Sequence, residues 1–107
     1  MVARTITELA KNYLQAVDKQ GIPVSFGVLF GSQARGTANE NSDIDLIVVS
    51  SHFDGKKDFD EVSKLWQLTT QTDGRVEPIA VGEQEWKDDD SRAIIEIARR
   101  EGKIIEL

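Results

Sequence analysis

Two kinds of apolar pattern alternate along this chain. Ile6, Leu9, Ala10, Tyr13, Leu14 and Val17 recur at helical spacing, which predicts an amphipathic helix over residues 6–20. Thr5 and Glu8 stand at capping-box spacing before it, and Gly21 and Pro23 end it. Residues 24–30, Val-Ser-Phe-Gly-Val-Leu-Phe, are short, apolar and β-rich, as a buried strand should be. Residues 43–50, Asp-Ile-Asp-Leu-Ile-Val-Val-Ser, make a second strand. Phe59, Val62 and Trp66, with Leu65 beside them, predict a helix near 57–71 and place Trp66 in the core. Asp73-Gly74 is a turn, and residues 75–81 form a third strand. Pro78 cannot donate to a ladder, so that strand is expected at an edge or a bulge. Asp90 or Ser91 is placed to cap a helix carrying Ile94, Ile95 and Ala98, which Gly102 closes. Lys103 to Leu107 adds a short last strand. The expected fold class is α/β or α+β, with helices packed on a small mixed sheet.

The length of 107 residues fits one domain, 1–107, with one core. Thirteen Lys and Arg against nineteen Asp and Glu give a net charge of -6. A binder of nucleic-acid backbone needs a basic face, so general nucleic-acid binding is not expected. Without cysteine there are no disulfides, thiolate zinc sites or Cys nucleophile, and the single His52 cannot build a His-rich metal site. No apolar run approaches membrane-spanning length, and the N-terminus opens directly into a helical pattern. A cytoplasmic chain with no membrane partner is expected.

The candidate chemistry lies between Gly31 and Asp45. Asp43 and Asp45 are two apart in a strand, so both carboxylates project from one face while Ile44 and Leu46 point into apolar packing. Like charges held so close repel, and a divalent cation resolves the conflict; two hard oxygen donors suit Mg²⁺. The blander alternative is a Ser42-Asp43 turn with an incidental Asp45. Gly31-Ser32 follows a strand end, where backbone N–H groups can cradle phosphate oxygens, though such a pair is also an ordinary turn.

Together these features are more specific. Gly31-Ser32, ten intervening residues and then Asp43-Ile44-Asp45, within GSQARGTANENSDIDL, resemble the signature of the DNA polymerase β-like nucleotidyltransferase superfamily. More narrowly, they resemble its minimal nucleotidyltransferases. The resemblance implies a nucleotidyltransferase fold and a Mg²⁺-dependent enzyme moving a nucleoside monophosphate, AMP from ATP, onto a hydroxyl. It implies a third carboxylate on a later strand, for which Glu77 is the matching position, although relatives more often carry Asp. Asp43, Asp45 and Glu77 would then be the catalytic and metal-binding residues, holding two Mg²⁺ ions. Gly31, Ser32 and Arg35 would bind the nucleotide, Arg35 having the alternative of a solvated loop residue. Family members commonly pair with helical HEPN-domain proteins in toxin–antitoxin systems. The implied partner is thus a HEPN-domain toxin, modified on a tyrosine, with a homodimer as a further possibility.

Few residues remain after Asp45 to form an acceptor pocket, so a second chain is expected across the cleft rim rather than on the opposite helical face. Trp86, in a polar stretch, is the nominated interface anchor. Arg75 shares the strand parity of Glu77. His52 and Lys56-Lys57 read as surface residues, and Asp88-Asp89-Asp90 as acids complementing a helix N-terminus. Two other functions remain: transfer of a nucleotide to a small hydroxylated molecule such as an aminoglycoside, and a non-catalytic antitoxin acting by contact alone.

Overall fold

The first apolar stripe becomes helix α1 (Arg4–Lys19), which buries Ile6, Ala10, Tyr13, Leu14 and Val17. The computed structural model describes residues 4–31, 43–88 and 92–107. After α1 come β1 (Phe26–Phe30), β2 (Ile44–Val49), a 3-10 turn (Ser51–Phe53) and α2 (Phe59–Thr69). They are followed by β3 (Val76–Val81), α3 (Glu83–Asp88), α4 (Ala93–Glu101) and β4 (Lys103–Ile105). The described strands form one mixed sheet in the order β3-β2-β1-β4. β1 runs antiparallel to β2 and β4, and β2 runs parallel to β3. This is the expected α/β class. No helix among the described residues is long and apolar enough to cross a membrane.

Both faces of the sheet are covered. Leu29 of β1 and Ile44, Leu46 and Val48 of β2 pack with α1 and with Leu65 and Leu68 of α2. Val28, Phe30, Ile47, Val49 and Val81 face the other way, against Ile95 and Ala98 of α4. Burial on two faces explains why β1 and β2 read as continuous apolar runs rather than alternating ones. On the first face, the buried Tyr13 hydroxyl donates to the Leu65 carbonyl at 2.6 Å and joins α1 to α2. Burial pushes that phenol well above its ordinary pKa.

β3 is an edge strand, as Pro78 suggested. The Ile44 N–H donates to the Arg75 carbonyl at 2.8 Å, and ladder alternation from that bond directs the Pro78 nitrogen outward, where no donor is needed.

Several local expectations change. Thr5 lies inside α1 instead of capping it. Asp58 caps α2, its side chain accepting from the Asp60 N–H at 2.8 Å, so Lys57 stays outside the helix. Trp66 is 49% exposed, because the buried side of α2 centres on Leu65, Leu68 and Thr69. The residue preceding α4 is Arg92, which makes no side-chain cap; Asp90 and Ser91 lie outside the described residues. Asp88 ends α3 instead of preceding α4's first turn, and Asp89 also lies outside the described residues.

Helix α3 has no counterpart in the apolar pattern, and it relocates Trp86. The indole meets Phe26 edge-on, with centroids 5.8 Å apart, while the Arg99 guanidinium sits 5.7 Å from the indole centroid. Arg99 also donates to the Trp86 carbonyl through Nε at 2.5 Å. Trp86 is therefore packed against the second core rather than presented as an interface anchor. Six residues of α3 carry one aromatic, too few for a periodic signal. Lys57 is likewise engaged, its Nζ 3.0 Å from Glu85 Oε1. His52 is a surface residue as expected, its Nδ1 2.7 Å from Glu61 Oε2.

Candidate active site

Strand pairing, more than sequence proximity, assembles the acids. Asp43 immediately precedes β2 and is exposed, whereas Asp45 lies inside β2 and is half-buried. Their alternation with the core residues Ile44 and Leu46 puts both on the α4 side of the sheet. The parallel pairing of β2 with β3 sets Asp45 opposite Glu77, and the antiparallel pairing with β1 sets Asp45 opposite Phe30. Gly31 follows directly. Across this end of the sheet one meets Gly31 on β1's exit, Asp43 just before β2, Asp45 on β2, and Glu77 on β3.

The carboxylates are close enough to influence one another. Partial burial, then the Asp43 charge, then hydrogen bonding and charge from Asp45 raise Glu77 above the ordinary carboxylate pKa. A raised folded-state pKa means that ionised Glu77 opposes folding, and that penalty grows as pH climbs through and above the ordinary carboxylate range. We expect Glu77→Gln to raise the thermal midpoint of the metal-free protein at pH 8, with the gain fading by pH 4. An unchanged midpoint at pH 8 would show that the acids do not repel in solution.

Gly31 adopts φ +72°, and a Cβ added there would lie 2.6 Å from Asp45 Oδ2. Only glycine meets both demands, because any side chain at this exit from β1 would run into the central carboxylate.

The donors here are hard oxygens that repel one another, a set that a divalent cation is suited to neutralise. Among the described residues, no three His, Cys, Asp or Glu side chains form a closed metal-binding group. Ser32 and Arg35 lie outside the described residues.

Asp73, expected as a turn residue, also belongs to this region. Its carboxylate accepts the Arg75 backbone N–H at 2.9 Å, Nε at 3.1 Å and Nη2 at 3.0 Å. Those bonds hold Asp73 below the usual carboxylate range. The signal was present in Asp73-Gly74-Arg75, where an acid precedes a strand-entry arginine by two residues.

A hollow of about 570 Å³ lined by Phe53, Asp54, Lys57, Gln84, Glu85 and others lies at the opposite end of β2 and β3. Its polar groups are bound to each other. Asp54 Oδ1 accepts the Gln84 N–H at 3.0 Å, while the Glu85 carboxylate accepts from Gly82 N, Lys57 Nζ and Arg92 Nη1 at 2.9 to 3.0 Å. These contacts seat α3, and the chemistry lies at the other end.

A family model for the nucleotidyltransferase domain matches residues 10–103. The chain belongs to that family. The nucleotidyltransferase domain is also similar to solved structures. One, a protein described as a nucleotidyltransferase from Sulfolobus solfataricus, shares 20% identity at a TM-score of 0.64. That match covers 94% of this chain and 78% of the other, and it speaks to the fold alone. Another is a toxin-antitoxin structure with AMP-PNP, 25% identical at a TM-score of 0.62, covering 89% of this chain and 71% of that one. No curated protein matches the chain. Membership supports a transferase that works on a nucleoside triphosphate with a divalent metal, and the matched span contains Gly31, Asp43, Asp45 and Glu77.

Proposed function

We propose that this nucleotidyltransferase domain is the minimal nucleotidyltransferase of a toxin–antitoxin pair. It transfers AMP from ATP to a tyrosine hydroxyl of a helical HEPN-domain toxin and thereby silences it. The observation carrying this reading is the meeting of Asp43, Asp45 and Glu77 on adjacent strands with Gly31 against Asp45. The resemblance of Gly31 to Asp45 to minimal nucleotidyltransferases supports it, as does the likeness to a toxin-antitoxin structure with AMP-PNP.

Asp43 and Asp45, joined by Glu77, would hold Mg²⁺, which when bound neutralises triphosphate charge and acidifies the attacking hydroxyl. On this reading Gly31 and Ser32 would offer backbone N–H groups and a hydroxyl to the phosphates, and Arg35 would add a positive charge. The tyrosine oxygen forms a bond to the α-phosphorus, the bond from that phosphorus to the bridging oxygen breaks, and pyrophosphate departs in line. The hydroxyl proton is given up to solvent. The protein's share is positioning and electrostatics.

The intact mass of the co-expressed partner tests the proposal. We expect a gain of whole AMP units that disappears on Asp43→Asn. A partner bound but unmodified would identify an antitoxin acting by contact. Turnover of an aminoglycoside by the isolated chain would identify a small-molecule transferase.

A further inference from the structure

We infer that the outer edge of β4, together with Ile97 of α4, is the face on which a second copy of this chain docks. The two β4 strands run antiparallel about a two-fold axis at Ile104. The inference does not depend on the nucleotidyl-transfer reading above.

The sheet has two borders. β3 forms the one beside the acids, and β4 forms the other, paired only with β1 among the described residues. Ile104 stands opposite Val28, and directly opposed strand residues share a face. Val28 packs with Ile95 and Ala98 of α4, so Ile104 lies on the α4 side, yet it is 54% exposed. Its neighbour Ile105 turns the other way and is buried in the α1 core.

Ile97 is also open, at 37%. Two residues turn a helix by about 200°, so Ile97 leaves α4 on the flank away from Arg99, which is held at Trp86. Gly102 carries the chain from α4 straight into β4. A Cβ there would lie 2.5 Å from Val28 Cγ1 and 3.0 Å from the Leu29 carbonyl oxygen. That close approach holds the end of α4 against β1, and the two exposed isoleucines flank the same border.

Charge decides what covers them. Residues 96–107 balance Arg99, Arg100 and Lys103 against Glu96, Glu101 and Glu106, so the net charge of -6 is carried wholly by residues 1–95. Two copies repel one another over most of their surface, and at this border they meet without that cost. A two-fold contact must also complement itself. An antiparallel strand pair does so through its backbone, and centring it on Ile104 sets that side chain against its twin. The exposed Phe59 and Trp66 of α2 suit a second copy less, because Asp58, Asp60 and Glu61 surround that helix start and would meet their own kind. Docking at β4 keeps β3 and the acids on the outer borders of the joined sheet, so the cleft of each copy stays open.

Sedimentation velocity of the full chain tests the inference. The patch is small beside a standard interface of about 1,600 Å², so we expect a dissociation constant on the order of 10 μM, bracketed by loading at about 1 to 300 μM. Ile104→Glu should weaken the dimer at least about tenfold by opposing two charges at the axis. Gln15→Glu adds the same charge on the exposed side of α1 and should leave the dimer unchanged. Thermal midpoints confirm folding. A second variant keeps the test decisive if Ile104→Glu is unstable. The chain has no cysteine, so Ile104→Cys supplies a single thiol, and opposed strand residues lie within disulfide reach. Mild oxidation should link Ile104→Cys to its twin and leave Gln15→Cys unlinked. The inference is overturned if wild type stays monomeric throughout, or if the dimer survives Ile104→Glu in folded protein. It is equally overturned if Phe59→Ser breaks the dimer while Ile104→Glu does not, or if Ile104→Cys links no better than Gln15→Cys.

Discussion

Asp45→Asn should lower AMP transfer by about 10³-fold or more, the equivalent of roughly 4 kcal/mol of transition-state stabilisation. Asparagine keeps the shape of the side chain and removes its charge and one hard oxygen donor. Asp45 is the central acid, between Gly31 on one side and Glu77 on the other. The fold should tolerate the change, because Ile44 and Leu46, not Asp45, anchor this part of β2 in the core. Loss of one negative charge also relieves the repulsion that raises Glu77, so the metal-free midpoint should hold or rise. Transfer of label from α-labelled ATP, measured beside thermal unfolding, checks both expectations. Activity within tenfold of wild type would remove Asp45 from the metal-binding set.

The second large effect is expected at Gly31. Gly31→Ala combines a left-handed backbone, costing about 1 kcal/mol for a non-glycine residue, with a methyl group 2.6 Å from Asp45 Oδ2. The carboxylate has to swing aside, and a displacement near 1 Å at a reacting centre costs on the order of 10²-fold in rate. Gly55 supplies the control. It also has positive φ, +70°, but nothing lies within 4 Å of an added Cβ. Gly55→Ala should therefore show the stability loss without the catalytic one. Equal activity losses in the two variants would mean that backbone strain alone, and not carboxylate displacement, is responsible.

Much of this protein was legible from residue order because it depends on local chemistry. The helical period of residues 6 to 17 and the unbroken apolar runs of β1 and β2 reported their elements within a few residues. Pro78 reported an edge strand because a missing donor can only face outward. The pair Asp43 and Asp45 declared a shared face because strand side chains alternate with period two. Each of these follows from geometry spanning fewer than twenty residues.

What the sequence could not settle depends on partners distant in the chain. Trp66 and Trp86 changed places relative to expectation: periodicity located a stripe on α2 but not its rotation toward the sheet, and α3 was too short to have a period. Glu77 was named from a resemblance, yet only the parallel register of β2 and β3 sets it opposite Asp45 and lifts its pKa. The Asp73–Arg75 pairing stood in plain sequence as a turn, and the pairing of β3 with β2, at the edge of the sheet among the described residues, is what places it beside the acids. Local sequence determines which residues carry charge and which way a strand presents them. Strand order and register decide which charges meet, because contacts between residues thirty positions apart depend on how the whole sheet closes.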